Sequence, residues 1–399
     1  MSEAGIDFDT AMVGTVEVTE RDALDLTALT AWFEANVEGF EGPITYSKFK
    51  GGQSNPTYRI DTPGQAYVLR RQPFGKLLPS AHAVDREYAA MHALGPTGFP
   101  VPKTFGLCED PEVIGSKFFV MGLADGRSLW NGALPGCTPE DRREIYLSMI
   151  DTMADLHLHD PAAIGLGDFG KPGDYCARQI SRWTKQYKLS ETEHMPKMER
   201  LIEWLPQTVP PQHGSSVVHG DYRLDNLIFE KDANRVLAVL DWELSTLGDP
   251  IADFSYLMLN WTSPADGRAG LQGLDFEALG IPTVEEAVSR YVARTGYPVP
   301  PMDWYFAYNL FRLAGIIQGI KKRVIDGTAS SAHARAMSDR VAPLLDRAYG
   351  FALAAGMEAS FANKPLRPCG LTSRVSAAPC GNQAGRLGAR ANRNFGSPP

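Results

Sequence analysis

The sequence has few cysteines, no long apolar run and no excess of positive charge. Its five cysteines (Cys108, Cys137, Cys176, Cys369 and Cys380) are widely spread, with no pair at the spacing of a metal or redox site. This excludes a disulfide framework and favours a reducing compartment. No stretch approaches the roughly 20 apolar residues that span a bilayer, and the N-terminus carries acids where a signal peptide carries bases. We therefore expect a cytoplasmic protein with no membrane partner.

The charge balance excludes a general affinity for nucleic acid. Lys and Arg number 39 and Asp and Glu 47, a net charge of −8, whereas nucleic-acid-binding surfaces are basic. Residues 363–399 hold six Lys or Arg and no acid, so residues 1–362 carry 33 minus 47, or −14. This C-terminal segment also lacks aliphatic periodicity, and we expect it to be a disordered basic tail.

What is present is enough apolar sequence, 44 %, for a sizeable core. The first third predicts a helix at about 25–38, three antiparallel strands between Ile44 and Arg71, a helix that begins at Ser80, and strands near 105–107 and 118–121. After residue 126 the pattern predicts mostly helices, interrupted by short strands and loops at 216–247. The helices are expected at about 139–157, 174–187, 193–204, 250–261, 284–295, 303–325 and 331–355. We therefore predict an α+β fold.

One loop carries the strongest chemical pattern. His219, Gly220 and Asp221 follow an apolar strand, Asn226 lies five residues after Asp221, and Asp241 follows the run VLAVL. Phosphoryl transfer requires groups that orient a hydroxyl and hold Mg²⁺, and an aspartate, an asparagine and a second aspartate supply them.

The chain resembles the aminoglycoside phosphotransferase family of kinase-like enzymes at these positions, through the pattern HGDxxxxN and the following aspartate. The resemblance implies a two-lobed protein-kinase-like fold and the cofactors ATP and Mg²⁺. It also implies that Asp221 is the catalytic base and that Asn226 and Asp241 are Mg²⁺ ligands. The expected boundaries are a nucleotide-binding lobe at 1–121, a hinge at 122–126 and a catalytic and substrate lobe at 127–362.

The rest of the kinase pattern can be sought in the first lobe. A kinase needs a cation on the third strand that reaches the nucleotide phosphates, and a helical glutamate that holds this cation. Arg70, in the run VLR, stands where the usual residue is lysine, and Glu87 is the matching acid. Arginine stays charged and offers a planar fork to phosphate, so the exchange is compatible with nucleotide binding.

Two further segments are expected to contact the nucleotide. The turn Gly51, Gly52, Gln53 and Ser54 lies where a loop would cover the phosphates, although the GxGxxG pattern is absent and an ordinary hairpin turn is the alternative. Met121 ends the strand that leads into the expected hinge and Leu123 lies within the hinge, whose backbone would pair with adenine.

Residues 249–253 are better explained structurally. Asp249 and Pro250 have the types that begin a helix, as N-cap and first residue. We expect Asp253, one turn later, to brace the loop that holds Asp221.

Longer stretches, such as KGGQSNPTY and VLDWELSTLGDPIADFSY, resemble the kinase-like domain that is fused to an acyl-CoA dehydrogenase in animal proteins, and its free-standing bacterial relatives. This resemblance implies a kinase for a hydroxyl of a small acyl substrate, such as a hydroxyacyl-CoA or hydroxy acid, and a functional link to an acyl-CoA dehydrogenase. The helical lobe offers residues for such an anion: Arg178, Arg182, Trp183, Lys185, Arg312 and Lys321. The alternatives are a kinase for an aminoglycoside, aminoalcohol or sugar, which needs an acidic acceptor pocket, and a nucleotide-binding pseudokinase or scaffold.

Overall fold

The structure is a computed structural model that describes residues 13–50, 55–74, 82–266, 268–327 and 337–359. The largest sheet is built by the first third of these residues and is antiparallel throughout, in the order β1-β2-β3-β4-β6-β5. Its strands are β1 Thr15–Val16, β2 Thr45–Phe49, β3 Thr57–Asp61, β4 Ala66–Arg71, β5 Thr104–Cys108 and β6 Phe118–Gly122.

Strand β4 is central in this sheet and is buried on both faces. Its side chains alternate, so Tyr67 and Leu69 face helix α1 (Leu26–Asn36), while Val68 joins the core around helix α2 (Val84–Leu94). Phe33 of α1 packs edge-on against Tyr67, with ring centroids 5.5 Å apart. The same alternation directs Arg70 toward α2.

The rest of the described chain is mainly helical. Two small sheets lie within it, one in the order β10-β9-β7 and the other formed by β11 and β8. The strands are β7 Arg127–Ser128, β8 Ser216–Val218, β9 Leu227–Phe229, β10 Val236–Val239 and β11 Thr246–Gly248. The helices are α3 Pro139–Leu158, α4 Tyr175–Ser190, α5 Pro196–Trp204, α6 Pro250–Thr262, α7 Phe276–Leu279, α8 Val284–Thr295, α9 Asp303–Ile325 and α10 Val341–Ala354.

Helix α6 lies at the centre of this region. All but two of its thirteen residues are buried, including Phe254, Leu257 and Met258. Its start follows from its sequence: the Asp249 carboxylate accepts the Ile251 N–H at 2.9 Å, and Pro250 is the first residue. No helix of the described residues is long and apolar enough to cross a membrane.

The α+β class and most predicted elements are confirmed, but three helices differ in their bounds and two strands were not predicted. The predicted helix at Ser80 is Val84–Leu94 in the described chain, with Ala83 as N-cap, because His82 has a left-handed backbone (φ 57°) that a helix cannot contain. The helix expected from residue 193 begins at Pro196, and α10 accounts for Val341–Ala354 of the helix expected at 331–355. Strands β1 and β7 have two residues each and were not predicted. The segment 363–399 lies outside the described residues, and the boundaries at 121 and 126 stay a prediction.

Candidate active site

The loop with Asp221 lies between strands β8 and β9 and depends on a glycine. Gly220 has φ +82°, a conformation that side chains rarely adopt, and an added Cβ would lie 2.8 Å from the Leu244 carbonyl oxygen. The loop therefore packs closely against the segment that follows Asp241.

The Asp253 carboxylate, on helix α6, anchors the backbone of this loop. Its carboxylate oxygens accept the N–H of His219 at 2.7 Å and the N–H of Gly220 at 2.9 Å. Burial opposes ionisation, but a hydrogen bond from His157, the electrostatic influence of the nearby rings of His157 and His219, and the Gly220 N–H lower the pKa of Asp253 below its ordinary value. The predicted bracing role of Asp253 is thus what the structure shows.

His219 joins this loop to the strand that leads to Asp241. Its Nε2 lies 2.9 Å from the Leu240 carbonyl, which can only accept, and its Nδ1 accepts the Asp221 N–H at 3.2 Å. Nε2 therefore carries the ring proton, and the imidazole fixes the spacing between the two segments.

Asp221 is surrounded by donors, and its side chain is 24 % exposed. The Tyr256 hydroxyl donates to Oδ1 at 2.7 Å, and Arg223 Nε lies 3.2 Å from the same oxygen. Asn226 Nδ2 donates to the backbone carbonyl of Asp221 at 2.9 Å and lies 3.3 Å from Oδ2. Arg223 also pairs with Asp225 at 3.1 Å, so it serves both carboxylates of the loop.

Asn226 and Asp241 are brought to the same end of the β9–β10 hairpin. Strands β9 and β10 pair Leu227 with Val239, and the next rung is the Leu240 N–H donating to the Asn226 carbonyl at 2.9 Å. Asp241 then turns out of the strand with φ 65°, a left-handed conformation that aspartate tolerates better than most residues.

Arg70 connects helix α2 of the first third of the chain to the segment that follows strand β10. Its Nε lies 2.9 Å from Glu87 Oε2 and 3.0 Å from Glu87 Oε1, and one terminal nitrogen (Nη2) donates to Asp241 Oδ1 at 2.6 Å. Arg70 and Glu87 are buried, whereas the Asp241 side chain is 28 % exposed. The sequence-predicted partners Arg70 and Glu87 are therefore in contact, and Arg70 also reaches the predicted metal ligand.

Glu243 joins this cluster without having been predicted, together with Asn55, the last residue of the turn GGQSN that was expected to cover the phosphates. Oxygens of Glu87, Asp241 and Glu243 lie within 4.8 Å of one another, and the amide of buried Asn55 donates to Glu87 at 2.8 Å and lies 3.4 Å from Glu243. The position of Glu243, two residues after Asp241, was the only sequence signal for it. One guanidinium among three carboxylates leaves a local excess of negative charge, which favours binding of a cation.

The charges of this cluster shift its ionisation. Burial would lower the pKa of Arg70, but Glu87, Asp241 and Glu243 raise it above its ordinary value, so Arg70 is a permanent cation. Burial raises the pKa of Glu87 to about 7, and the charges of Asp241 and Glu243 add to this, while Arg70 opposes it. Glu87 therefore depends on Arg70 for its ionised form.

The remaining predicted nucleotide contacts are less well defined. Gly51, Gly52, Gln53 and Ser54 lie outside the described residues. Met121 is buried in β6, where it pairs with Val68, and Leu123 is partly buried just after that strand.

The structure corrects most of the proposed anion-binding set. Arg312 is buried and donates to the Gly220 carbonyl, Trp183 is buried, and Lys321 pairs with Glu193 at 2.5 Å. Arg178 is directed to the backbone carbonyls of residues 171–173. Arg182 and Lys185 remain as exposed cations on helix α4.

Comparison with known proteins identifies the family. The model described as "Phosphotransferase enzyme family" matches residues 45–289, which contain the whole cluster around Arg70 and Asp221. The chain belongs to this phosphotransferase family. A curated relative, acyl-CoA dehydrogenase family member 10 of Mus musculus, is 45 % identical over 320 residues, or 79 % of this chain. The phosphotransferase spans 30 % of that relative's length.

Solved structures confirm the two-lobed kinase-like fold of the phosphotransferase. A crystal structure from Ralstonia eutropha, described as a candidate aminoglycoside phosphotransferase, is 49 % identical, has a TM-score of 0.77, and is matched over 83 % of this chain and 99 % of that one. Spectinomycin phosphotransferase, solved with ADP and spectinomycin, is 10 % identical with a TM-score of 0.55, over 82 % of this chain and 98 % of its own. The chain therefore has the kinase-like fold of these phosphotransferase structures.

Proposed function

We propose that the protein transfers the γ-phosphoryl group of ATP, with Mg²⁺, to a hydroxyl of a small anionic acyl compound, a hydroxyacyl-CoA or related hydroxy acid. The kinase assignment rests on one observation: Arg70 contacts both Glu87 and Asp241, although Asp241 lies 171 residues later in the sequence. This arrangement places a permanent cation beside a carboxylate that can hold a metal ion.

Each group has a role in the proposed reaction. Asp221 orients the acceptor hydroxyl and takes its proton, while the acceptor oxygen bonds to the γ-phosphorus and the bond to the bridging oxygen breaks, releasing ADP. Arg70 contacts the nucleotide phosphates, and Glu87 holds Arg70 in place. The backbone near Met121 and Leu123 and the turn Gly51–Ser54 are the proposed nucleotide contacts for the base and phosphates.

The residues present fit a magnesium ion. Asp241 and Asn226 offer carboxylate and amide oxygens, the hard ligands that Mg²⁺ prefers, and the Asn226 amide nitrogen is already used by Asp221, which leaves its oxygen for a cation. When bound, Mg²⁺ would neutralise charge on the transferred phosphoryl group.

Two observations support an anionic acceptor. Arg223 pairs with both Asp221 and Asp225, so a cationic acceptor would have to compete with this guanidinium for either carboxylate. Arg182 and Lys185 are exposed on helix α4, whose first turn packs against the start of helix α6, the helix that supports the loop: Cys176 Sγ lies 3.9 Å from the Asp249 carboxylate. The curated relative's name, acyl-CoA dehydrogenase family member 10, agrees with an acyl-CoA acceptor and a functional link to a dehydrogenase.

The second candidate acceptor is an aminoglycoside, which the description of the Ralstonia eutropha relative favours. Incubation with labelled ATP, Mg²⁺ and a pool of hydroxyacyl-CoAs, hydroxy acids, aminoalcohols, sugars and aminoglycosides will show which compound becomes labelled. We expect label in the acyl compounds; label only in an aminoglycoside would overturn the anionic-acceptor proposal. Nucleotide binding without any labelled product would favour the pseudokinase.

The kinase assignment itself is tested at Asp241. Asp241→Ala should abolish both Mg²⁺ binding and turnover, whereas Asp232→Ala, on the exposed β9–β10 turn, should retain both. Full phosphoryl transfer by Asp241→Ala would contradict the assignment.

The role of helix α4 is tested by charge reversal. Arg182→Glu with Lys185→Glu should raise KM for a hydroxyacyl-CoA but not for the corresponding free hydroxy acid, because only the CoA ester carries remote phosphates. The control, Lys231→Glu with Arg235→Glu, makes the same change of net charge on the β9–β10 turn. An equal rise in KM for both pairs would show a general field effect and not a binding site.

A further inference from the structure

Helix α6 contacts the loop that holds Asp221 through two side chains, one helical turn apart. Asp253 accepts the backbone N–H groups of His219 and Gly220, and Tyr256, three residues later on the same face of α6, donates to the Asp221 carboxylate at 2.7 Å. The first contact holds the backbone, and the second reaches the reacting side chain itself.

Tyr256 is fixed in place by its surroundings. It is buried, and the Arg312 guanidinium lies over its ring at 5.1 Å from the centroid. Arg312 is buried as well and donates to the Gly220 carbonyl, so the Arg312–Tyr256 pair contacts both the backbone and the side chain of the loop. Burial and the charge of Asp221 raise the pKa of Tyr256 above its ordinary value, so its hydroxyl is a donor at neutral pH.

The two oxygens of Asp221 differ as a result. Oδ1 receives the Tyr256 hydroxyl and lies 3.2 Å from Arg223 Nε, while Oδ2 has only the longer contact of 3.3 Å with the Asn226 amide. Oδ1 accepts the short Tyr256 hydrogen bond and faces the Arg223 charge, which makes it the weaker proton acceptor, whereas Oδ2 retains lone pairs for a further hydroxyl.

We propose that Tyr256 is a positioning residue, which holds the Asp221 carboxylate so that Oδ2, and not Oδ1, faces the acceptor hydroxyl. This inference rests on the proposed role of Asp221 as the base. During transfer the acceptor O–H bond breaks, its proton passes to Oδ2, and the acceptor oxygen bonds to the γ-phosphorus as ADP leaves. Tyr256 keeps its own proton throughout.

Tyr256→Phe removes only the hydroxyl and preserves the ring beneath Arg312. Because a hydrogen bond to a charged group is lost, kcat should fall about 10- to 100-fold, while KM for ATP stays within about twofold. The control is Tyr146→Phe, since Tyr146 is equally buried and donates to the Gly132 carbonyl at 2.5 Å, away from Asp221. Tyr146→Phe should lower the unfolding temperature and leave kcat unchanged.

The assay uses 3-hydroxybutyryl-CoA as acceptor, with ATP hydrolysis measured in parallel without acceptor. In an Asp221→Ala background, Tyr256→Phe should change the residual rate by less than about twofold, because the partner of the hydroxyl is gone. An equal reduction with and without Asp221 would overturn the proposal and show that Tyr256 acts on the fold.

A structural measurement separates this inference from the proposed function. In a crystal structure of Tyr256→Phe, the Asp221 carboxylate should rotate away from the orientation that it has in the wild-type protein. An unchanged carboxylate would overturn the positioning role even if no acceptor were phosphorylated. Rotation of the carboxylate without transfer to 3-hydroxybutyryl-CoA would support the role of Tyr256 and contradict only the acceptor class.

Discussion

At the scale of single residues, the site depends on how one guanidinium is shared. Arg70 offers its Nε to Glu87 and a terminal nitrogen to Asp241, which requires a planar group with several donors. A lysine ammonium is a point charge and cannot reproduce both contacts with the same geometry. Arginine at this position therefore couples helix α2 to the segment after β10 more rigidly than lysine would.

We expect Arg70→Met to lower the free energy of unfolding by about 3–5 kcal/mol, because it leaves Glu87 buried without its cation. Arg70→Lys should retain folding but lower kcat/KM for ATP by about tenfold or more, since one of the two contacts is lost. Urea unfolding and steady-state kinetics measure these effects.

The control for Arg70 is Arg59→Met on the neighbouring strand. Arg59 pairs with Asp61 at 2.8 Å, and both side chains are more than 40 % exposed. Arg59→Met should therefore lower the free energy of unfolding by less than about 1 kcal/mol. Equal destabilisation by Arg70→Met and Arg59→Met would contradict the role of Arg70 as the cation that stabilises the buried Glu87 carboxylate.

The HGDxxxxN pattern and the resemblance to kinase-like enzymes singled out five residues that the structure brings into contact in two groups: Arg70, Glu87 and Asp241, and Asp221 and Asn226. Their catalytic and metal-binding roles stay a prediction. The sequence did not indicate Glu243 or Tyr256 as site residues. Their contacts, Asn55 with Glu243 and Tyr256 with Asp221, join segments 188 and 35 residues apart and arise only from the packing of the chain.

At the scale of elements, helix α6 supports the loop that holds Asp221. Two aspartates at its start, the N-cap Asp249 and Asp253 one turn later, have opposite pKa shifts. Asp249 and Asp253 are both buried, yet burial raises the pKa of Asp249, whereas donors to Asp253 lower its pKa despite burial. Folding therefore favours the ionised form of Asp253 and the protonated form of Asp249.

Asp253→Asn should lower the free energy of unfolding at pH 7 by about 1–3 kcal/mol, since an amide places a donor beside one of two backbone N–H groups. The folded pKa of Asp253 is below the unfolded value, so this stabilisation is present above about pH 4 and is lost as the pH falls through the folded pKa. The difference in free energy of unfolding between wild type and Asp253→Asn should therefore shrink toward pH 2. Urea unfolding at a series of pH values measures it.

Asp249→Asn provides the comparison with the opposite sign. The folded pKa of Asp249 is raised, so its ionised form costs stability as the pH rises, and asparagine is an equally good N-cap. We expect the variant to be no less stable than wild type at pH 7. A loss as large as that of Asp253→Asn would refute this assignment of the two carboxylates.

Gly220 tests whether the loop must approach the segment after Asp241. Gly220→Ala places a Cβ 2.8 Å from the Leu244 carbonyl oxygen in addition to the strain of φ +82°. We expect turnover to fall at least about 100-fold, because displacement of the loop moves Asp221 relative to the phosphates.

Gly296→Ala is the matched control for Gly220→Ala. Gly296 has φ +72° at the end of helix α8, and an added Cβ would meet nothing within 4 Å. It should therefore cost about 1–2 kcal/mol of stability and leave turnover unchanged. Loss of activity in both variants would show that backbone strain, and not the close approach, is responsible.

Elements with strong local determinants were predictable from sequence, and weakly determined ones were not. Helix α8 begins with the capping box of Thr283 and Glu286 and ends at Gly296, and its predicted bounds were right. Helix α2 has no side-chain cap, and its start was placed at Ser80 in error. The two-residue strands β1 and β7 exist only through pairing with distant strands, which local patterns do not reveal.

At the scale of the whole molecule, the proposed function requires the site to bind a polyanion, ATP, in a protein whose residues 1–362 carry a net charge of −14. Long-range electrostatics therefore oppose ATP, and binding depends on local cations and on the metal ion. In the structure Arg70 is paired with Glu87 and Asp241, so ATP has to compete with Asp241 for this cation unless Mg²⁺ replaces it there.

This competition predicts how ligands stabilise the molecule. ATP with Mg²⁺ should raise the free energy of unfolding by about 2.7 kcal/mol at 100 times its Kd, whereas ATP with EDTA should do much less, because Arg70 stays engaged by Asp241. In Asp241→Asn the competing charge is absent, so stabilisation by metal-free ATP should match or exceed that in wild type, while the additional effect of Mg²⁺ disappears. Urea unfolding with each ligand combination measures both effects. Equal stabilisation of wild type by ATP with and without Mg²⁺ would contradict the placement of the metal at Asp241 and, with it, the account of Arg70 as a cation shared between Asp241 and the nucleotide.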